Sequence, residues 1–189
     1  MGTLVIYAHP KTQGHCPWIL KQVELNLKRM DEEYEVIDLY KRGYNSVLKA
    51  EELYTAKKYE VSEENKKIQE KIKSSKKLIF IYPVWWGTMP AILKGFFDRV
   101  FVARYAFKYV KGVPIGLLKD VKALVFITSG AHETLSRIFQ SPVKNIKYEI
   151  LRFCGIKAKV VQFGNSRELD DKRKNMINKK VAKTISRFY

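Results

Sequence analysis

The sequence predicts an α/β domain over residues 1–189: a three-layer sandwich whose five-stranded parallel sheet runs in the order 2-1-3-4-5. Three observations predict it. Strand and helix signals alternate from end to end, which a parallel sheet with crossover helices satisfies. LVIY, LIFIY and ALVFI are unbroken apolar runs, as expected of central strands buried on both faces. EYEVIDL and KAKVVQF are interrupted by charge, as expected at sheet edges.

Each element has its own signal. TLVIYA is the first strand. A helix over residues 17–30 follows, with Ile19, Leu20, Val23, Leu27 and Met30 at helical spacing. YEVIDL is the second strand, and Ser62 can cap a second helix carrying Ile68 and Ile72. KLIFIY is the third strand. Pro90 opens the third helix, where the first N–H is unpaired in any case. Residues 123–127 are the fourth strand. Ser141 and Pro142 open a helix with Val143, Ile146, Ile150 and Phe153 on one face, and Gly155 stands where a C-terminal glycine belongs. KAKVVQF is the fifth strand, and the last helix presents Ile177, Val181, Ile185 and Phe188. Residues 40–61 and 102–120 are insertions that read as long loops, which in compact domains are often functional. The strand order is the flavodoxin-like one. Ligands in such sheets bind beyond the carboxyl ends of the strands, near the switch point between the first and third.

Composition narrows the class. Hydrophobic residues make up 46% of the chain, which excludes disorder and supplies a sizeable core. Cys16 and Cys154 are the only cysteines, with no CxxC motif and no disulfide framework, which fits a reduced cytoplasm. There is no basic-then-apolar leader, and the apolar runs are too short to cross a bilayer. Lys+Arg number 36 against 19 Asp+Glu, a formal charge of +17 that attracts phosphorylated ligands or acidic surfaces. The densest basic piece, DDKRKNMINKKVAKTISRFY, carries seven basic and two acidic residues. It reads as a solvated lysine-rich face rather than a nucleic-acid site, because no RNP, zinc-finger or helix-turn-helix pattern accompanies it.

Three segments follow the first, third and fourth strands. AHPKTQGHCPW leads into the first helix, whose N–H groups and dipole suit a phosphate. His9 and Thr12 add side-chain donors there, and Gly14 permits close backbone approach. A turn with a capped helix start is the structural alternative. His9 and His15 lack a third partner for a metal. The second segment, PVWWG, sets Trp85 and Trp86 in a polar turn, which costs exposed apolar surface unless something flat covers them. One tryptophan in the core and the other at a subunit interface would account for the pair equally well. In the third segment, TSGAHETLSR, Thr128, Ser129 and Gly130 offer hydroxyls and a permissive backbone.

AHP, PVWWGTMPAILKGFFDRVF, YAFKY and TSGA together resemble the NAD(P)H:quinone oxidoreductase family, flavodoxin-like enzymes that include modulator-of-drug-activity proteins and ancillary flavoproteins of potassium efflux systems. DLYKRGYNSVLKAEELY is similar to that family's second-strand region. The resemblance covers most of residues 2–155. It implies non-covalent FAD or FMN, NAD(P)H as hydride donor, a quinone-like acceptor, ping-pong turnover in one pocket, and a homodimer. By position it implies that His9 contacts the phosphates. Pro83, Val84, Trp85, Trp86 and Gly87 would line the flavin ring, and Thr128, Ser129, Gly130 and Ala131 its pyrimidine side. Phe107 and Tyr109 would wall the substrate pocket from the second subunit.

Two departures stand out. The family often has Ser-x-Ser or Ser-x-Asn after the HP pair. This chain has Gly14, His15 and Cys16 instead, which leaves FAD and FMN both open. Some members stabilise charge on the reduced flavin with a tyrosine and a histidine after the third segment. HETLSRIFQSP has no tyrosine, and His132 is the candidate in that place, against the alternative of a merely exposed loop histidine. Two other readings remain. An electron carrier usually docks through acidic surfaces, which +17 opposes. A regulatory flavoprotein subunit of a membrane potassium efflux system would bind the same ligands.

Overall fold

A computed structural model describes residues 2–56, 59–132, 134 and 141–189. Its strands are β1 (Thr3–Tyr7), β2 (Tyr34–Asp38), β3 (Lys77–Pro83), β4 (Phe107–Val110), β5 (Val113–Gly116), β6 (Lys122–Thr128) and β7 (Lys157–Phe163). Five of them form one parallel sheet in the order β2-β1-β3-β6-β7. That is the predicted order, with β6 and β7 as the predicted fourth and fifth strands. The helices are α1 (His15–Arg29), α2 (Glu63–Ser75), α3 (Ala91–Val100), α4 (Pro142–Lys144, continuing as a π-helix over Asn145–Arg152) and α5 (Asp171–Ile185).

The unbroken apolar runs have two destinations. Leu4, Ile6, Leu78, Phe80, Ala123 and Val125 face the core beneath α2, α3 and α4. Val5, Tyr7, Ile79, Ile81, Leu124 and Phe126 face the core beneath α1 and α5. Alternation along each strand therefore feeds two cores, so no position in the central strands can be polar without cost. β2 and β7 lie at the edges, where their charged residues reach solvent.

Three details depart from the sequence reading. First, α1 starts at His15 rather than residue 17, which draws His15 and Cys16 into the helix. Second, residues 102–120 are not all loop: β4 and β5 pair as an antiparallel hairpin. Its two-residue turn, Lys111 and Gly112, has φ of 49° and 81°, the twist that suits a tight hairpin. Third, α4 does not keep α spacing. Ile146 and Leu151, five residues apart, are both fully buried, whereas Ile150 and Phe153 are only partly buried. Bonding of i→i+5 type rotates Leu151 inward.

The described residues of 40–61 include a short 3₁₀ turn at Ala50–Glu52, and buried polar contacts tie them to the body. The Tyr44 hydroxyl donates to Asn65 Oδ1 at 2.9 Å. Arg99 of α3 donates through Nε and Nη2 to the Glu52 carboxylate at 2.7–3.1 Å, and through Nη1 to the Asn45 carbonyl. Close approach is possible because residue 95 is glycine: a Cβ there would lie 2.0 Å from the Ser46 carbonyl oxygen. Alanine is ordinarily better than glycine inside a helix by ~1 kcal/mol. Here the backbone carbonyl has no room to yield, and overpacking of about 1–3 kcal/mol outweighs that gain. Gly95→Ala is expected to lower the melting temperature by several degrees. A thermal melt at or above wild type would contradict this packing.

Candidate active site

The three predicted segments meet at the carboxyl ends of β1, β3 and β6. The Val84 N–H donates to the Thr128 carbonyl at 2.7 Å. Cys16 Sγ lies 3.2 Å from Thr128 Oγ1. The rings of His9 and Trp85 lie 6.1 Å apart, centroid to centroid. Segments separated by more than a hundred residues are thus one surface.

The start of α1 is its polar centre. Gly14 precedes the helix with φ of 114°, a value that side chains other than glycine's rarely allow. No side chain caps the helix and no acid lies in its first turn. Its first N–H groups and the positive end of its dipole are therefore available to an anion. His15 is 7% exposed, and its Nε2 is buried without a hydrogen-bond partner. Burial, and then the charge of Arg173, hold the His15 pKa below the usual imidazole value. Arg173 of α5 donates through Nη2 to the Gly164 carbonyl, while its Nε is buried and unpartnered. Unpaired buried polar groups are costly, so both point to a polar ligand.

His9 is half-buried. The Lys11 N–H donates to its Nδ1 at 3.1 Å, which leaves Nε2 as the N–H end. Burial is the main reason its pKa lies below the usual value. Thr12 is exposed beside it. Cys16 offers only its backbone, because its side chain is buried and its thiol is pushed up to about 12 by burial.

The tryptophan turn is closed by reciprocal Trp85–Thr88 backbone bonds of 2.9 and 3.0 Å. Trp86 and Gly87 have φ of 50° and 77°. Neither indole is core: Trp85 is 40% exposed and Trp86 fully exposed. The reading that packs one of them inside the domain is set aside. A bulky residue held left-handed with its whole ring in solvent is strain without internal return. Pro83 is the buried last residue of β3, and Val84 packs partly against the core.

Beyond β6 the hydroxyls turn inward, contrary to their expected role as ligand donors. Thr128 faces Cys16, and Ser129 Oγ donates to the Ala131 carbonyl at 3.1 Å. Both side chains are buried because the turn needs them internally. Gly130 and Ala131 are exposed, and a Cβ on Gly130 would meet nothing within 4 Å. The turn is fastened to the loop after β7: Ser166 N–H donates to the Ser129 carbonyl and Asn165 N–H to that of Ala131. His132 is exposed and borders a cleft of about 280 Å³ with Gln162, Asn165, Arg173 and Met176. Glu133 and residues 135–140 of the HETLSRIFQSP stretch lie outside the described residues.

Arg173, Asn165 and Gln162 are the site residues that sequence reasoning missed. Arg173 sits in the piece read as a solvated basic face, and only the contact of α5 with α1 turns it toward His15. Phe107 packs on Phe153 of its own chain at 4.8 Å, whereas Tyr109 is half-exposed. Among the described residues no three metal-ligating side chains are grouped, and no helix is long and apolar enough to cross a membrane.

Comparison with known proteins follows this geometry. A family described as having a flavodoxin-like fold matches residues 1–187. An uncharacterized NAD(P)H oxidoreductase of Haemophilus influenzae is 31% identical, over all of this chain and 96% of that protein. The NAD(P)H:quinone oxidoreductase from Methanothermobacter marburgensis superposes with a TM-score of 0.82 at 26% identity, over 97% of this chain and 94% of that one. An FMN-dependent NADH-azoreductase from Bacillus anthracis, solved in complex with FMN, superposes with a TM-score of 0.80 at 25% identity, over 100% and 99% of the two chains.

Proposed function

The chain belongs to the flavodoxin-like fold family, and on that premise we propose that it is a flavin-dependent NAD(P)H oxidoreductase acting on quinone-like acceptors. One observation carries the reading: the uncapped start of α1, with buried and unpartnered His15 Nε2, is joined through the Cys16–Thr128 and His9–Trp85 contacts to the segments that carry the exposed tryptophan turn and Gly130. A ligand with a phosphate at one end and a flat ring at the other fits this donor set. The relatives' activities and the FMN bound by one of them support that choice.

A flavin held there would supply the redox chemistry of hydride transfer between NAD(P)H and a quinone-like acceptor. The chain's own part is to bind, orient and exclude water. The α1 N–H groups of His15 and Cys16, with the imidazoles of His9 and His15 and the Thr12 hydroxyl, hold the phosphate. Gly14 keeps the approach to the helix start open. Pro83 to Gly87 would flank the ring, and the N–H groups of Trp86 and Gly87 are the ones left for its polar edge, since those of Val84 and Trp85 are bonded to the Thr128 and Thr88 carbonyls. Gly130 and Ala131 approach its pyrimidine side through the backbone, and His132 stands nearby as a donor to developing negative charge. The net charge of +17 attracts the phosphates of NAD(P)H.

The expected result is one flavin per subunit when the apoprotein is titrated with FMN and with FAD, followed by quenching of flavin fluorescence. A folded apoprotein that binds neither would overturn the reading.

The protein acts as a cytoplasmic homodimer in this account, with Tyr109, and Phe107 behind it, close to the partner's flavin. Leu48, Leu53, Tyr109, Val110 and Val113 are exposed apolar residues. Leu48 and Leu53 border a cleft of about 360 Å³ lined by Phe97, Phe101, Phe107, Ile150 and Phe153. Apolar surface of this kind suits an interface between copies. Sedimentation at micromolar concentration is expected to give a dimer. A fully active monomer would count against it.

A further inference from the structure

The opposite end of the sheet carries a second cleft, at the amino ends of β6 and β7. It is lined by Lys119, Lys147, Tyr148, Arg152 and Lys157 over a floor of Gly155 and Ile156. Among the described residues no acid lines it and none of the four cations is ion-paired. Lys122 extends the field. It stands in register beside Lys157 on the neighbouring strand, and both are exposed. Like charges directly opposite one another destabilise a sheet, so a bound anion would relieve this edge.

The wall of the cleft is the π-helical part of α4. Bonding of i→i+5 type stacks residues five apart on one face, and Lys147 and Arg152 are five apart. Lys147 Nζ lies 5.0 Å from the centroid of the half-exposed Tyr148 ring, and the Arg152 guanidinium carbon 5.9 Å. In an α-helix the two cations would point about 140° apart. π turns are rare and recur at functional sites. The floor is backbone held close: a Cβ on Gly116 would lie 2.2 Å from Gly155 N, and Gly155 itself has φ of 89°.

We propose that this cleft binds a nucleoside polyphosphate, its phosphates on Lys119, Lys147, Arg152 and Lys157 and its base against Tyr148. Cations of this number recognise phosphate oxygens by charge-assisted hydrogen bonds. One ring and one cation cluster match one base and one phosphate chain. A nucleic-acid strand needs rings repeated along a groove, and among the described residues Tyr148 is the one aromatic side chain lining this cleft. The seven residues of β6 separate it from the proposed flavin site by roughly 20 Å, so it is independent of that reading.

The test is calorimetric titration of the flavin-saturated full-length protein with ATP at low salt, beside tripolyphosphate and a short single-stranded oligonucleotide. Saturation with flavin keeps the adenine out of the first site. One ATP per subunit is expected, bound more tightly than tripolyphosphate. The double variant Lys147→Gln/Arg152→Gln should weaken it at least about tenfold, and Tyr148→Leu at least about fivefold. Unchanged flavin content and thermal melts of both variants show that they fold. ATP affinity unaffected by the double variant overturns the proposal. So does tripolyphosphate binding as tightly as ATP, or an oligonucleotide that outcompetes it.

Discussion

Trp86→Ala is expected to leave the melting temperature of the apoprotein unchanged and to lower flavin affinity at least about tenfold, the equivalent of roughly 1.4 kcal/mol. The first half follows from exposure. The indole is wholly in solvent, so its removal opens no cavity, and surface changes of that kind stay within about 0.5 kcal/mol. Alanine accepts the left-handed turn no worse than tryptophan does. The second half follows from the proposed site, where the indole's one large contact is the ligand. Reduction by NAD(P)H should also slow at saturating flavin, because a ring held less firmly spends less time aligned with the nicotinamide. Fluorescence titration, stopped-flow absorbance and apoprotein melts separate the cases. Unchanged flavin affinity together with a weakened dimer would reassign Trp86 to the subunit interface.

Glu52→Ala should have the largest effect on stability, about 3–5 kcal/mol, because it strands the Arg99 guanidinium in the protein. Arg99 is 6% exposed and would keep the Asn45 carbonyl, the face of Tyr44 and the more distant charge of Glu64. In a domain of this size each kcal/mol is worth about 2–4 °C of melting temperature. Replacing both partners, Glu52→Leu with Arg99→Met, should recover most of the loss, since it removes the buried charge along with its partner. The pair also sets a pH dependence. Burial alone would raise the Glu52 carboxyl, but hydrogen bonds from Arg99 and the Lys49 N–H, with the Arg99 charge, hold it below its usual value. A lowered carboxylate pKa stabilises the fold above the unfolded-state value, and that contribution is lost as pH falls through the folded one. Thermal melts against pH should show a smaller acid-side loss in the double variant than in wild type, the difference being the contribution of Glu52. A Glu52→Ala melt within a degree of wild type would mean that Arg99 finds another anion.

Most of the fold was legible in the residue pattern. LVIY, LIFIY and ALVFI have no polar position because the strands feed two cores, and the charges of EYEVIDL and KAKVVQF mark the two edges. Ser62 caps α2 through a hydrogen bond to its side chain from Asn65 N–H, as its type and position predict. The β4–β5 hairpin was not legible, because Lys-Gly is a weaker turn signal than Asn-Gly and the flanking residues do not alternate cleanly. The π spacing of α4 was not legible either. Val143, Ile146, Ile150 and Phe153 satisfy an α pattern, and only packing against the sheet selects Leu151 for the core.

The candidate site divides in the same way. The sequence by itself determined which segments border it, because in a parallel sheet the loops after the strands on either side of the switch point share one edge. Residues 8–18, 83–87 and 128–131 follow from strand order alone. Tertiary structure decided what each side chain can do there. It turned the Thr128 and Ser129 hydroxyls and the Cys16 thiol inward, left Trp86 in solvent, and brought Arg173 from the last helix to His15 at the start of the first. The physical reason is that hydrophobic periodicity specifies which face of an element is buried, and hence the order and layering of the sheet. The partner of a polar group at an element's end depends instead on how distant elements are set against one another, and no local pattern carries that information.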